Sequence, residues 1–102
     1  MKLLVITSLK EYLPALSTLL GQARIEIFSV SKTIGMKTSD GANLLDDWFG
    51  SHSGDFDSIF LFSFTDDGQA GKALELVESY NNTHDSGFPL RAFILPVERS
   101  GQ

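Results

Sequence analysis

The sequence predicts a two-layer α+β domain with the element order β-α-β-β-α-β, and three observations carry that expectation. Two short apolar runs, Leu3–Ile6 and Ser58–Phe64, are each followed by a segment with apolar residues at helical spacing. Each half then closes on a second strand-like run, Ile25–Ile34 in the first and Arg91–Val97 in the second. Finally, Leu3 to Ile6 and Ile59 to Phe64 are apolar at both parities, the pattern of strands covered on two faces rather than one. The arrangement is a ferredoxin-like sandwich: an antiparallel four-stranded sheet, the first and third strands central, with two helices on one face.

Each element has its own signal. Leu3–Ile6 reads as a buried strand. Ser8 with Glu11 three residues on forms a capping-box pattern, and Tyr12, Leu13, Leu16, Leu19 and Leu20 supply a helical stripe. Pro14 suits that helix only if it starts late, near Glu11 to Leu13, because proline lacks an N–H and crowds the preceding turn. Gly21 is the expected stop. Ile25–Ile34 is β-branched and aromatic, and its apolar positions change parity between Ile27 and Phe28, which suggests a bulge or two buried faces. From Gly35 to Asp57 the pattern dissolves into Gly, Ser, Asp and Asn around one apolar knot, Leu44–Phe49. Segments of this length in compact domains are commonly functional, and this one has little apolar surface to offset the entropy of ordering it. After Ser58–Phe64, Asp66 and Gln69 form a second capping box. Ala70, Ala73, Leu74, Val77 and Tyr80 make the next stripe, and Asn81-Asn82 is the expected end. Thr83–Pro89 is a loop. Pro96 fits an edge strand or a strand end, since it cannot donate to a ladder.

Bulk properties narrow the function. The 102 residues, 11.2 kDa, make one domain spanning 1–102. A net charge of -5 with eight scattered Lys and Arg gives no basic face, so nucleic acid is not expected as a partner. Cysteine is absent, which removes disulfides, thiolate metal sites and Cys nucleophiles. The apolar run of Met1–Ile6 stops at Thr7 without a cleavage site, and no stretch approaches the roughly 18 apolar residues of a membrane span, so a cytoplasmic protein is expected.

The second sheet face is the informative one. Phe60, Phe62 and Phe64 share one parity while Ile59 and Leu61 take the other. Helices cover one face only. The expected cover for the other is a further copy of the chain, since apolar patches of several hundred Å² are rarely left in water.

Short motifs add a family. Phe93-Ile94-Leu95-Pro96-Val97-Glu98 is similar to the final strand of the PII signalling superfamily, often F-V-x-P-V-E. Thr65-Asp66-Asp67 matches the turn that opens the second helix of that family, Ser29-Val30-Ser31-Lys32 resembles its T-V-T-E run, and Gly35 stands where its T-loop starts. In element order most of the chain resembles a divergent PII-like protein. The resemblance implies a homotrimer with inward-facing sheets and a small ligand between subunits, an adenine nucleotide or another anion. It also implies a long T-loop-like segment, 35–57, that regulates a membrane transporter or an enzyme. The ligand-binding residues it implies are Gly35 and Lys37 at the loop base, Gly87 and Arg91 before the last strand, and Lys32 beside them. Lys32, Lys37 and Arg91 either converge on an anion or are ordinary surface charge. Trp48 and Phe49 either bind the partner or pin the loop to its own trimer.

The chain also departs from that family. Its B-loop reads T-G-x-x-G-D-G-K, and the last four positions fall on Phe88-Pro89-Leu90-Arg91, so a cation remains but the glycines do not. Lys37 and Ser39 replace Gly and Gln, the C-terminal arginines reduce to Arg99, and Met36–Asp57 contains no Tyr. Weaker ATP affinity than in typical members follows.

Two other readings are available. His52, His84, Asp46, Asp47, Asp55 and Asp85 could serve a trimeric metal-binding or metal-tolerance protein of the same superfamily, but no pair has recognised ligand spacing, so no metal site is assigned. A small ferredoxin-like enzyme such as an acylphosphatase needs an Arg in a phosphate cradle after the first strand, where Thr7-Ser8-Leu9 has neither Gly nor Arg. Asp66-Asp67 are better read as helix caps than as catalytic carboxylates, and Ser51-His52-Ser53 lacks an acidic orienter. No catalytic residue is therefore assigned, and a non-enzymatic protein is expected.

Overall fold

The computed structural model describes residues 1–35, 56–84 and 88–101. The chain runs β1 (Lys2–Leu9), a single 3₁₀ turn (Lys10–Tyr12), α1 (Leu13–Gln22), β2 (Ser29–Gly35), β3 (Phe56–Thr65), α2 (Asp67–Thr83) and β4 (Arg91–Pro96). All neighbours pair antiparallel in the order β2-β3-β1-β4, with the first and third strands central as the sequence predicts.

In the first half the helix starts at Leu13, as late as Pro14 requires, but neither the expected Ser8 cap nor the expected Gly21 stop is found. Ser8 is not a cap. It lies in β1 opposite Ile59, 6% exposed, and its Oγ donates to the Leu9 carbonyl at 2.9 Å. Strand pairing, which continues to Leu9 opposite Ser58, overrides the local capping pattern. Thr7-Ser8-Leu9 is accordingly strand and not a turn. α1 starts late, with Pro14 in its first turn, where the missing N–H costs nothing. Its end lies beyond Gly21. Arg24 N–H donates to the Gly21 carbonyl at 3.0 Å and Ile25 N–H to the Leu20 carbonyl at 2.9 Å, the two bonds of a Schellman stop. Arg24 holds the left-handed position, φ 62°, that glycine usually fills. Ile25 then packs in the core beside Leu20.

β2 is shorter than the predicted Ile25–Ile34. Residues 25–28 have no regular structure: Ile25 turns into the core while Ile27 is 84% exposed. Ser63 Oγ donates to the Ile27 carbonyl at 2.6 Å and ties this segment to β3. The parity change in the sequence marks the entry to the strand, not a bulge within it. Gly35 pairs with Phe56, so the hairpin ladder takes a residue from one end of the expected long segment and two from the other. The remainder of that reading, 36–55, lies outside the described residues.

α2 opens on the predicted capping box. Gln69 N–H donates to Asp66 Oδ1 at 2.6 Å, and Asp66 N–H donates to Gln69 Oε1 at 3.3 Å. The helix does not stop at Asn81-Asn82 but continues to Thr83, whose Oγ1 donates back to the Ser79 and Tyr80 carbonyls at 3.2 and 3.1 Å. β4 ends at Pro96, which is both on an edge strand and at its end, as predicted.

The core lies between the helices and one sheet face, where Leu4, Ile6, Ile59 and Leu61 meet Leu16, Leu20, Ala73, Val77 and Leu90. Each large side chain buried there contributes about 1.5–3 kcal/mol.

Candidate ligand and assembly site

The opposite sheet face follows from the strand registers. Four rows cross it: Leu95–Leu3–Phe64, Phe93–Val5–Phe62–Ser29, Arg91–Thr7–Phe60–Ser31, and Leu9–Ser58–Thr33. Phe60, Phe62 and Phe64 climb one strand with ring centroids 5.9 and 6.4 Å apart, the second pair edge-to-face. Val5 and Thr7 on this face are nearly inaccessible at 5% and 1%. In the strand registers Phe62 and Phe93 flank Val5, and Phe60 and Arg91 flank Thr7. At the margin Phe64, Phe93 and Leu95 remain 59, 37 and 43% exposed. Along β2 the same face turns polar, with Ser29, Ser31 and Thr33; Thr33 Oγ1 lies 2.7 Å from Ser58 Oγ.

Arg91 stands at the polar end of this face. Its Nε is buried and has no hydrogen-bond partner among the described residues. The residue before it is fixed from the helix layer. Asn81 Nδ2 donates to the Leu90 carbonyl at 2.8 Å, and Leu90 N–H donates to Asn81 Oδ1 at 2.9 Å. A groove of about 430 Å³ runs here between Leu74, Val77, Glu78 and Asn81 on α2 and the Leu90–Phe93 edge.

The other sequence-predicted residues lie elsewhere. Lys32 is on the far edge strand, opposite Ile59, and therefore on the helix-side face. It lines a separate groove of about 440 Å³ with Lys10, Thr33, Ile34, Asp57 and Ser58. Gly35 ends the same strand. Within one copy Lys32 and Arg91 do not converge: they occupy opposite edges and opposite faces of the sheet. Lys37, Gly87, Trp48 and Phe49 lie outside the described residues, as do His52, Asp46, Asp47, Asp55 and Asp85. His84 belongs to the end of α2. Its ring stacks on Tyr80 at 3.9 Å, and Nδ1 lies 2.8 Å from Thr83 Oγ1 and 3.0 Å from the Tyr80 carbonyl. Among the described residues no three of His, Asp and Glu are grouped to hold a metal ion, and no helix is long and apolar enough to cross a membrane.

Sequence reasoning missed Asn81. The signal was present, since asparagine inside a helix is unfavourable unless its amide bonds to backbone, but Asn81-Asn82 reads equally as a stop.

These features define the class: a ferredoxin-like antiparallel sheet, helices on one face and an apolar wall on the other. The particular fold is that of the PII proteins. The solved structure of CPII bound to ADP, AMP and acetate, from Thiomonas intermedia K12, matches 92% of this chain and 82% of its own, with a TM-score of 0.65 at 16% identity. No protein-family model matches the chain, and neither does any curated protein.

Proposed function

We propose that the chain is a non-enzymatic PII-like regulatory protein of the cytoplasm. Three copies turn their apolar faces inward. A small anionic ligand, of which an adenine nucleotide is the leading candidate, binds between copies near Arg91 and Gly87 from one side and Lys32, Gly35 and Lys37 from the other. The segment 36–55, with Trp48 and Phe49, reports the bound state to a transporter or enzyme. The observation that carries this reading is the apolar face of Leu3, Val5, Phe60, Phe62, Phe64, Phe93 and Leu95, which stands exposed at Phe64, Phe93 and Leu95 and runs to Arg91, whose Nε is buried and without a hydrogen-bond partner among the described residues. The PII fold supports the assembly, and the ADP and AMP held by CPII support the ligand class.

Two measurements test it. Light scattering is expected to give three times the 11.2 kDa chain mass. Calorimetry with ATP, ADP and AMP is expected to show binding that Arg91→Ala weakens. Tight ATP binding that survives Arg91→Ala refutes the site, and a particle of 11.2 kDa refutes the assembly.

A further inference from the structure

The carboxamide of Asn81 satisfies both polar groups of Leu90, accepting from its N–H at 2.9 Å and donating to its carbonyl at 2.8 Å. The pair reproduces a rung of antiparallel ladder with a side chain in place of a strand. It stands where the sheet has none, because the β1–β4 register ends at Thr7 opposite Arg91 and Leu90 is one residue beyond. Leu90 is 2% exposed in the core, so its peptide has little water to turn to if the amide is removed.

Successive residues of extended chain point to opposite faces. With Leu90 held into the helix layer, Arg91 is sent to the other face, beside Thr7, where its Nε is buried and without a partner among the described residues. We propose that Asn81 is a positioning residue: through Leu90 it fixes Arg91 on the sheet face opposite the helices, with Nε buried, in the orientation from which its guanidinium meets an anion. The anion rests on the function proposed above; the mechanical link from Asn81 to Arg91 does not.

Exchange of the Leu90 N–H and the Arg91 Nε–H, measured by NMR without ligand, tests the link in the wild type, Asn81→Ala and Asn81→Asp, with the Leu4 and Ile6 amides as reference. In Asn81→Ala both protons are expected to exchange roughly five- to tenfold faster than the reference amides allow, the loss of one hydrogen bond. Asn81→Asp keeps the acceptor for Leu90 N–H and is expected to recover part of the Arg91 protection. It also serves as the test if the alanine variant does not fold. Uniform acceleration of every amide, or an unchanged Arg91 Nε–H, overturns the proposal. With ATP, Asn81→Ala is expected to weaken binding several-fold when Arg91 is present and to change nothing in an Arg91→Ala background. Equal weakening in both backgrounds assigns Asn81 a structural role only and overturns it. Absence of nucleotide binding in the wild type sinks the nucleotide reading, and the exchange measurement still decides the link.

Discussion

Phe64→Asp separates the stability of the chain from that of its assembly. In the single chain Phe64 is 59% exposed, at the margin of the apolar face. Taking about 200 Å² for a whole phenylalanine, roughly 120 Å² of it awaits cover, which at about 25 cal/mol per Å² is worth about 3 kcal/mol per copy on assembly. Aspartate forfeits that gain and adds a charge whose burial costs several kcal/mol more. The folded chain loses less: the roughly 80 Å² of Phe64 already covered is worth about 2 kcal/mol by the same measure, and the edge-to-face contact with Phe62 at 6.4 Å adds about 0.5–1.5 kcal/mol. The expected result is a folded monomer. Light scattering should fall from three times 11.2 kDa to 11.2 kDa, with the far-ultraviolet circular dichroism retained. Ser79→Asp, on the exposed surface of α2, should leave the mass of the wild type unchanged. A variant that keeps the wild-type mass would show that the apolar face is not the interface, and the reasoning from strand parity would fail with it.

Asp66→Ala removes the oxygen that accepts from Gln69 N–H at 2.6 Å, so urea unfolding should show a loss of about 1 kcal/mol; an unchanged midpoint would mean the box contributes nothing. Arg24→Gly relieves the left-handed position, φ 62°, which costs a side-chain-bearing residue about 1–2 kcal/mol. About 0.5–1 kcal/mol of that returns as extra freedom of the unfolded glycine, leaving a modest rise in Tm. A fall in Tm would show that the Arg24 side chain contributes contacts of its own.

Element types and order of the described residues were readable in the sequence because they rest on dense signals: apolar runs for β1 and β3, helical stripes for α1 and α2, and a capping box at Asp66. Boundaries failed where tertiary pairing competed with a local motif. Ser8 and Glu11 carry a valid capping pattern, yet the rung opposite Ile59 keeps Ser8 in the strand. Gly21 looks like a stop, yet the helix turns over at Arg24, a position that composition does not mark. The apolar second face was visible in advance, since Phe60, Phe62 and Phe64 need only the period of two. The separation of Lys32 from Arg91 was not, because it depends on strand order as well as parity. The role of Asn81 required a contact nine residues away.

That separation makes a further argument about the proposed site. Lys32 and Arg91 lie on β2 and β4, three strand spacings apart in the order β2-β3-β1-β4, or about 14 Å, and on opposite faces. No single phosphate can touch both within one copy. A closed ring of copies joins unlike surfaces head to tail, and can set the β2 edge of one copy beside the β4 edge of the next. A ligand using both cations then exists only in the ring, so for such a ligand binding and assembly are linked, and its binding strengthens the association by mass action. The monomeric Phe64→Asp variant tests the linkage, because its substitution lies two rows and two strands from Arg91 and on the face opposite Lys32. Calorimetry should find its ATP affinity reduced far more than any local contact explains, with partial recovery at high protein concentration. A monomer that binds ATP as tightly as the wild type would place the whole site in one copy and exclude Lys32 from it.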